Sequence, residues 1–231
     1  TKVIGIDLGT TFSAIASLDD LGNPEVLASI EDNRKITASA IYLKDNEVVV
    51  GDKALSYLKD QSKNVILQTK REMENDVVYS TDQGKWVSDT DLVEAYTPAQ
   101  VSSLILKKLK EYTSDVKKVV ITVPAMFAEK ARQATLDAAK IADLEVIELI
   151  NEPTAAVLHY ASLPGVEVGG RVMIFDLGGG TFDVTFAEVK NKKVDVLTSR
   201  GDKYLGGRDF DREITKLMKK KYFDIHNVEI D

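Results

Sequence analysis

The chain has 231 residues, of which 44% are apolar and 29% charged, a composition that supports a buried core in one large domain or two small ones. A net charge of −7 argues against a nucleic-acid-binding protein, and the absence of cysteine with only two histidines argues against a thiolate or histidine metal site. No apolar run approaches the roughly 20 residues of a membrane span and no secretory signal is recognised, so we expect a cytoplasmic protein.

The first third of the chain is expected to be rich in strands. Residues 3–8 form a nearly continuous apolar run before Gly9, which is typical of a buried strand. Further short strands are expected at residues 12–18, 25–29, 40–43 and 47–50. Residues 52–58 have helical spacing, whereas residues 64–86 show no clear period.

Beyond residue 96 the predicted helices and strands alternate. Thr97, Pro98 and Gln100 predict a helix start, because threonine caps, proline fits the first turn and glutamine reaches back to the cap. Strands are expected at residues 119–123 and 146–150, and helices at 129–142 and 153–161. After a boundary at residues 163–170, strands are expected at 172–176, 182–190 and 193–198, followed by a helix at about 208–223. This order predicts an α/β fold with helices on the faces of a sheet.

One pattern occurs twice in the chain. Residues 4–13 read IGIDLGTTFS and residues 174–183 read IFDLGGGTFD, so each copy is an apolar strand, Asp-Leu-Gly, a turn of Gly and Thr, and a second strand. Glycines let backbone N–H groups approach an anion, threonine hydroxyls add donors, and an aspartate at a strand end can hold Mg²⁺ through waters. Either copy alone is compatible with an ordinary β-turn, but the pair favours two hairpins that hold phosphates from opposite sides of a cleft.

Other phosphate and hydrolase motifs are missing. The sequence contains no G-x-x-x-x-G-K-[ST] loop and no G-x-G-x-x-G, which argues against P-loop and Rossmann sites. It contains neither a G-x-S-x-G elbow nor an H-E-x-x-H helix.

The two hairpins resemble the phosphate loops of the actin, sugar-kinase and heat-shock ATPase superfamily. Five strings in order narrow the resemblance to the seventy-kilodalton heat-shock chaperones of the DnaK type: ITVPA at 121–125, ARQAT at 131–135, NEPTAA at 151–156, FDLGGGTFDV at 175–184 and LGGRDFD at 205–211. The resemblance implies an actin-like, ribonuclease-H-like ATPase fold. It also implies ATP or ADP with Mg²⁺ as ligands, and an ATP-hydrolysing domain of a chaperone that assists protein folding.

The resemblance also assigns roles to residues. It implies Mg²⁺ near Asp7 and Asp176, and phosphate contacts from a set of turn residues: Gly9, Thr10, Thr11, Phe12, Gly178, Gly179, Gly180, Thr181, Gly206 and Gly207. Lys70, Glu152, Thr181 and Asp183 correspond to catalytic positions. By itself Lys70 would be a solvated surface lysine and Glu152 a favourable acid at a helix start.

Pro124 and Arg132 match a relay that in the family couples nucleotide state to the next domain, and the less favoured alternatives are a simple strand end and an exposed helix residue. The implied organisation is a first lobe at 1–168, with its core at 1–36 and 98–168 and an outer insert at 37–97, and the beginning of a second lobe at 169–231. We expect the second lobe to be incomplete, the chain to be an N-terminal fragment, and its nucleotide affinity to be weak. The implied partners are unfolded polypeptides bound by a domain outside this chain, a nucleotide-exchange factor and a J-domain co-chaperone.

Two departures from the family pattern affect these expectations. Phe12 stands where many members have Tyr or Asn, so a polar contact near the phosphates is lost. Glu148 stands where many have Arg on the surface for J-domain proteins, so that partner is doubtful, unless the change is a neutral surface substitution. A non-hydrolysing binding module of the same fold and a sugar kinase remain alternatives.

Overall fold

The computed structural model describes residues 3–45, 47–88, 92, 95–114, 116–191 and 193–230. Its strands in chain order are β1 (Val3–Asp7), β2 (Phe12–Leu18), β3 (Pro24–Val26), β4 (Thr37–Ala38), β5 (Ala40–Lys44), β6 (Glu47–Val50), β7 (Val65–Leu67), β8 (Val78–Ser80), β9 (Lys85–Val87), β10 (Ala95–Tyr96), β11 (Lys118–Val123), β12 (Glu145–Asn151), β13 (Gly170–Leu177), β14 (Phe182–Lys190) and β15 (Lys193–Asp202). Its helices are α1 (Asp52–Ser56), α2 (Leu58–Gln61), α3 (Pro98–Lys110), α4 (Glu129–Ile141), α5 (Glu152–Ser162) and α6 (Gly207–His226), with 3₁₀ turns at Ser62–Asn64 and Thr69–Glu72.

A mixed sheet, here called the N-terminal sheet, organises the first part of the chain. Its strand order is β12-β11-β1-β2-β3, and β4 pairs with the far end of β2. Strands β1, β11 and β12 run parallel, whereas β2 and β3 are antiparallel hairpin partners. Ile4 and Ile6 on β1 and Ile121 on β11 are fully or almost fully buried, so the centre of this sheet is the centre of the core.

Helices cover the N-terminal sheet, and α3 packs directly against α4. Thr97 and Gln100 form the capping box that the sequence predicts, with Gln100 N donating to Thr97 Oγ1 at 3.2 Å and Thr97 N to Gln100 Oε1 at 2.8 Å. Val101, Leu106 and Leu109 of α3 have no exposed surface and join the isoleucines of the sheet in one core cluster.

Two small sheets lie between β4 and α3. One has the order β6-β5-β7 and the other β10-β8-β9, and both are antiparallel. A separate small cluster around Ala40, Tyr42 and Ala54 supports the first of them, and Tyr42 stacks on Tyr57 with ring centroids 4.0 Å apart. The chain then passes through the 3₁₀ turn at Thr69–Glu72 on its way back to the main core.

The last part of the chain forms a second antiparallel sheet, β13-β14-β15, here called the C-terminal sheet, followed by α6. Along β14, Asp183, Thr185, Ala187 and Val189 are buried. Along β13, in contrast, Met173 and Phe175 are about 60% exposed, at 61% and 63%. Among the described residues no helix is both long and apolar enough to cross a membrane.

The α/β class is confirmed, and most predicted elements are present within two or three residues of their expected ends. The strand expected at 25–29 is shorter, because the chain turns at Ser29, where Asn33 N donates to Ser29 O and Ser29 N to Arg34 O. The helix expected at 52–58 is broken at Tyr57 into α1 and α2. The unassigned stretch 64–86 contains β7, the second 3₁₀ turn, β8 and most of β9.

Candidate functional site

The two Asp-Leu-Gly hairpins face each other where the two sheets meet. Asp7 is the last residue of β1, and Asp176 lies at the equivalent end of β13. The turns touch directly, since a Cβ added to Gly179 would overlap the hydroxyl of Thr11, and one added to Gly180 would overlap the side chain of Thr10. Beside the contact is a cleft of about 780 Å³, and it is lined by Asp7, Thr11, Lys70, Glu152, Asp176 and Thr181.

The first hairpin is held by hydroxyl groups of its own sheet. Gly9 N donates to Ser13 Oγ at 3.1 Å, and Ser39 Oγ donates to Gly9 O at 2.8 Å. The two serine oxygens are also 2.8 Å apart, so the turn, β2 and the segment after β4 form one network. Thr122 Oγ1 at the end of β11 donates to Asp7 Oδ1 at 3.0 Å, which orients that carboxylate.

The second hairpin is held by the start of α6. Gly178 N donates to Thr181 O at 2.9 Å to close the turn. Gly207 N donates to Gly178 O at 3.0 Å and Arg208 N to Gly179 O at 3.1 Å, so N–H groups of the first helical turn are satisfied by the hairpin. Gly206 must lack a side chain, because a Cβ there would overlap the backbone of Gly179 and Gly180. The predicted residues Gly206 and Gly207 therefore lie against the second turn.

Lys70 and Glu152 form an ion pair at the floor of the cleft. Lys70 lies in the 3₁₀ turn at Thr69–Glu72, and Glu152 is the first residue of α5, where the positive end of the helix favours an acid. Lys70 Nζ donates to Glu152 Oε1, and the two side chains are only 8% and 16% exposed. Lys70 is thus not the solvated lysine that composition alone favours.

Three carboxylates, Asp7, Glu152 and Asp176, line the cleft together with Lys70, and the charge of a fourth, Asp183, interacts with Asp176 and Lys70. Burial raises the pKa of Glu152 against the opposing attraction of Lys70, and the negative charges of Asp7 and Asp176 add to the increase. Burial likewise raises the pKa of Asp176 and of Asp183, and the Asp176 charge raises the latter further. The cleft therefore carries an excess of negative charge, which a divalent cation would relieve.

Two buried oxygens at the site have no hydrogen-bond partner within the described part of the chain. They are Thr11 Oγ1 in the first turn and Asp183 Oδ1 on β14, whose residue is 3% exposed. Such atoms are costly unless a ligand or water satisfies them. Among the described residues, no group of three or more acidic or histidine side chains is placed to hold a metal ion directly.

Of the remaining predicted residues, Pro124, Arg132 and Glu148 lie outside the cleft, whereas Phe12 lines it. Arg132 on α4 donates to Phe127 O at 3.1 Å and to Asn151 Oδ1 at 2.7 Å, and Phe127 N donates to Pro124 O at 3.1 Å. Arg132 thus connects the turn after Pro124 to the residue preceding Glu152. Phe12 is 45% exposed and Glu148 is exposed on β12.

Sequence analysis missed several residues that shape the site. Ser13, Ser39 and Thr122 support the first hairpin, and Arg71 donates through Nε to Gly180 O at 2.7 Å in the second. Arg71 is adjacent to the predicted Lys70, and in a 3₁₀ turn adjacent side chains point to different partners. Its position next to Lys70 was therefore the only feature of the sequence that could have indicated a role for Arg71.

Comparisons with known proteins match nearly the whole chain. The family model described as Hsp70 protein matches residues 3–231. The chain is 41% identical over 229 residues to the chaperone protein DnaK of Mycoplasmopsis agalactiae, covering 95% of this chain and 36% of that relative. It is 37% identical to the DnaK of Stenotrophomonas maltophilia over 246 residues and to that of Thermotoga neapolitana over 236 residues. These matches cover 96% and 99% of this chain, and 38% and 37% of the relatives.

The chain thus spans between a third and two fifths of the length of the curated relatives that it matches. The family match covers nearly every residue, both hairpins included, and the mixed sheet is consistent with the actin-like fold for which the family is known. The chain belongs to the Hsp70 family.

Proposed function

We propose that the cleft binds the phosphates of ATP and ADP together with Mg²⁺, and that the protein hydrolyses ATP. The observation that carries the proposal is the contact of two like hairpins from different sheets beside a cleft lined by Lys70 and Glu152. Backbone N–H groups and threonine hydroxyls of two glycine-rich turns suit the oxygens of a polyphosphate. The unpartnered Thr11 hydroxyl would gain a partner from such a ligand.

In this proposal the turn residues contact phosphate oxygens, either directly or through a neighbouring turn. They are Gly9, Thr10, Thr11, Phe12, Gly178, Gly179, Gly180, Thr181, Gly206 and Gly207. Gly206 and Gly207 act through the second turn. Gly207 N donates to Gly178 O, and Gly206 packs against the backbone of Gly179 and Gly180.

The acidic residues of the cleft fit Mg²⁺, because they carry uncompensated negative charge on oxygen ligands. Asp7 and Asp176 would hold the ion through waters, since no directly coordinating group of three is present among the described residues. Bound Mg²⁺ would supply charge neutralisation for the phosphate oxygens.

The reaction is the attack of water on the terminal phosphorus, with cleavage of the bond to the leaving diphosphate oxygen. Lys70 offsets the negative charge on the transferring group, and Glu152 fixes the position of the Lys70 ammonium. Asp183 Oδ1 is unpartnered and is free to accept a hydrogen bond from the attacking water. The Thr181 hydroxyl donates to a phosphate oxygen, so positioning and charge stabilisation supply most of the catalysis.

The wider role follows from the family. We propose a cytoplasmic chaperone whose ATPase activity drives binding and release of unfolded polypeptides, with a nucleotide-exchange factor and, subject to Glu148, a J-domain protein as partners. Pro124 and Arg132 would relay nucleotide state to a further domain through the contacts of Arg132 with Phe127 and Asn151. The lobes proposed are residues 1–168 and 169–231.

The test is a comparison of Lys70→Ala with Lys59→Ala, an exposed lysine on α2, in the product of the full-length gene. Single-turnover ATP hydrolysis should fall about a hundredfold or more in Lys70→Ala and stay unchanged in Lys59→Ala. Calorimetric titration should show that MgADP binding needs Mg²⁺ and survives in both variants. Equal hydrolysis by the two variants would refute the catalytic role, and a wild-type protein that binds MgATP without hydrolysing it would indicate a binding module.

A further inference from the structure

The segment of residues 69–74 bonds both to the helix starts that follow strands of the N-terminal sheet and to the turn, connection and helix of the C-terminal part. On the N-terminal side Lys70 reaches Glu152 at the start of α5, and Glu74 accepts from Ala128 N at the start of α4 at 3.2 Å. On the C-terminal side Arg71 reaches Gly180 and Asp209, and Glu74 reaches Lys203 in the connection between β15 and α6.

We propose that residues 69–74 form a two-point latch between the N-terminal and C-terminal sheets, closed by the ion pairs Arg71–Asp209 and Glu74–Lys203. Arg71 and Glu74 are then positioning residues that hold the turn at 178–181 beside Lys70.

The Arg71 contact uses the whole guanidinium group. Nε donates to Gly180 O at 2.7 Å, Nη2 lies 2.6 Å from Asp209 Oδ2, and Nη1 donates to Gln68 Oε1 at 3.2 Å. The side chains of Arg71 and Asp209 are only 9% and 12% exposed. A buried charge pair of this kind is costly to break from one side, because the remaining charge loses its partner without gaining water.

Asp209 also forms an ion pair within its own helix, α6. It is held from the other side by Arg212, whose Nη2 lies 3.2 Å from Asp209 Oδ1. The hydrogen bond from Arg71 holds the pKa of Asp209 below its usual range. The carboxylate therefore stays charged wherever the protein is folded near neutral pH.

The second pair has the opposite polarity. Glu74 Oε2 lies 2.7 Å from Lys203 Nζ, so the anion here is on the N-terminal side, whereas in the first pair it is on the C-terminal side. The opposite polarity favours the observed alignment, because an exchange of partners would bring Arg71 to Lys203 and Glu74 to Asp209. The latch therefore sets the lateral position of the second hairpin as well as its distance from Lys70.

The backbone before the latch is also in an unusual conformation. Gln68 has a φ of 59°, in the left-handed region that a residue with a Cβ rarely adopts. Its side chain accepts from Arg71, so the strained residue supports the latch directly.

The consequence for ligand binding rests on the proposed function. Opening the latch would carry Gly180 and Thr181 away from Lys70 and leave a bound polyphosphate held from one side only. Latch variants should therefore release nucleotide faster without any loss of a phosphate-contacting group.

The first experiment measures the latch without nucleotide. Because the chain has no cysteine, Asp20→Cys and Lys221→Cys, both at exposed positions, can carry spin labels on the two sides. Double electron–electron resonance should give one narrow distance distribution in the parent and a longer, broader distribution in Lys203→Glu and in Glu74→Lys. The double variant with both changes should restore the parent distribution. Unchanged distances in the single variants, or no recovery in the double variant, would overturn the latch.

The second experiment measures MgADP dissociation by stopped flow, with the same substitutions made in the product of the full-length gene. Each single variant should release nucleotide about fivefold faster, as expected for a partly exposed pair, and the double variant should return to within about twofold of the parent. Asp209→Asn should have a larger effect than Asp211→Asn, its exposed neighbour. Unchanged dissociation in variants whose distances change would overturn the positioning role. A parent that binds no nucleotide would overturn both the proposed function and the positioning role, while the distances would still decide the latch.

Discussion

The two Asp-Leu-Gly hairpins have nearly the same sequence but are supported in different ways. The hairpin after β1 is fixed by neighbours in its own sheet, through the hydroxyls of Ser13, Ser39 and Thr122. The hairpin after β13 depends on α6 and, across the cleft, on Arg71. The sheets differ as well, since β1 is a central strand of a mixed sheet and buries Ile4 and Ile6, whereas β13 is an edge strand on which Met173 and Phe175 are exposed.

This difference suggests that the two hairpins have different roles in the cleft, one fixed and the other movable. A turn held by its own sheet is preorganised before any ligand arrives, so it can act as the fixed side of the cleft. A turn held mainly by α6 can move with the C-terminal sheet, and its hydrogen bond from Arg71 is a contact that would open if the two sheets separated. The comparison can be tested by making equivalent changes in both hairpins.

The largest expected difference is between Gly9→Ala and Gly178→Ala, the equivalent glycines. A Cβ at Gly9 would overlap the carbonyl oxygen of Phe12, whereas at Gly178 the nearest atom is Thr181 O at 3.4 Å. We expect Gly9→Ala to lower the free energy of unfolding by about 3 kcal/mol and Gly178→Ala by less than about 1 kcal/mol. Urea denaturation measures both, and equal losses would show that the two turns are equally constrained.

The next effect concerns the serine network of the first hairpin. Ser39→Ala removes the donor to Gly9 O and the partner of Ser13 Oγ, and Ser39 is only 4% exposed. The free energy of unfolding should fall by about 2 kcal/mol. The control is Ser56→Ala, where an exposed hydroxyl donates to Lys53 O within α1, and it should be close to neutral. A neutral Ser39→Ala would mean that the first turn does not need this support.

The smallest effect has the opposite sign and concerns Asp183 beside the second hairpin. Burial raises the pKa of Asp183 in the folded protein, so the folded protein binds this proton more tightly than the unfolded chain does. The free energy of unfolding therefore falls as the pH rises from about 4 through the raised pKa. Without nucleotide or Mg²⁺, Asp183→Asn should remove this loss and be about 1 kcal/mol more stable at pH 7, with little difference at pH 4. Thermal unfolding across pH measures this. A variant less stable than wild type at pH 7 would contradict the cost assigned to the buried charge.

Several features were determined by the sequence alone, because they depend on local patterns. The apolar run of β1 and the capping box of α3 predict their elements without reference to distant residues. The two copies of Asp-Leu-Gly could be found by comparing the chain with itself, and they place Asp7 and Asp176 at the ends of two strands. The order of strands and helices was sufficient for the α/β class.

The tertiary structure decided which charges meet. Arg71 and Asp209 are 138 positions apart, and nothing local distinguishes either from a solvated surface charge. Likewise Ser39 reaches Gly9 only because β4 pairs with β2. Side-chain contacts of this kind depend on how the sheets pack, and the period of a strand or helix carries no information about them. The sequence therefore identified the hairpins, and only the tertiary packing showed that one is fixed by its own sheet and the other by α6 and, across the cleft, by Arg71.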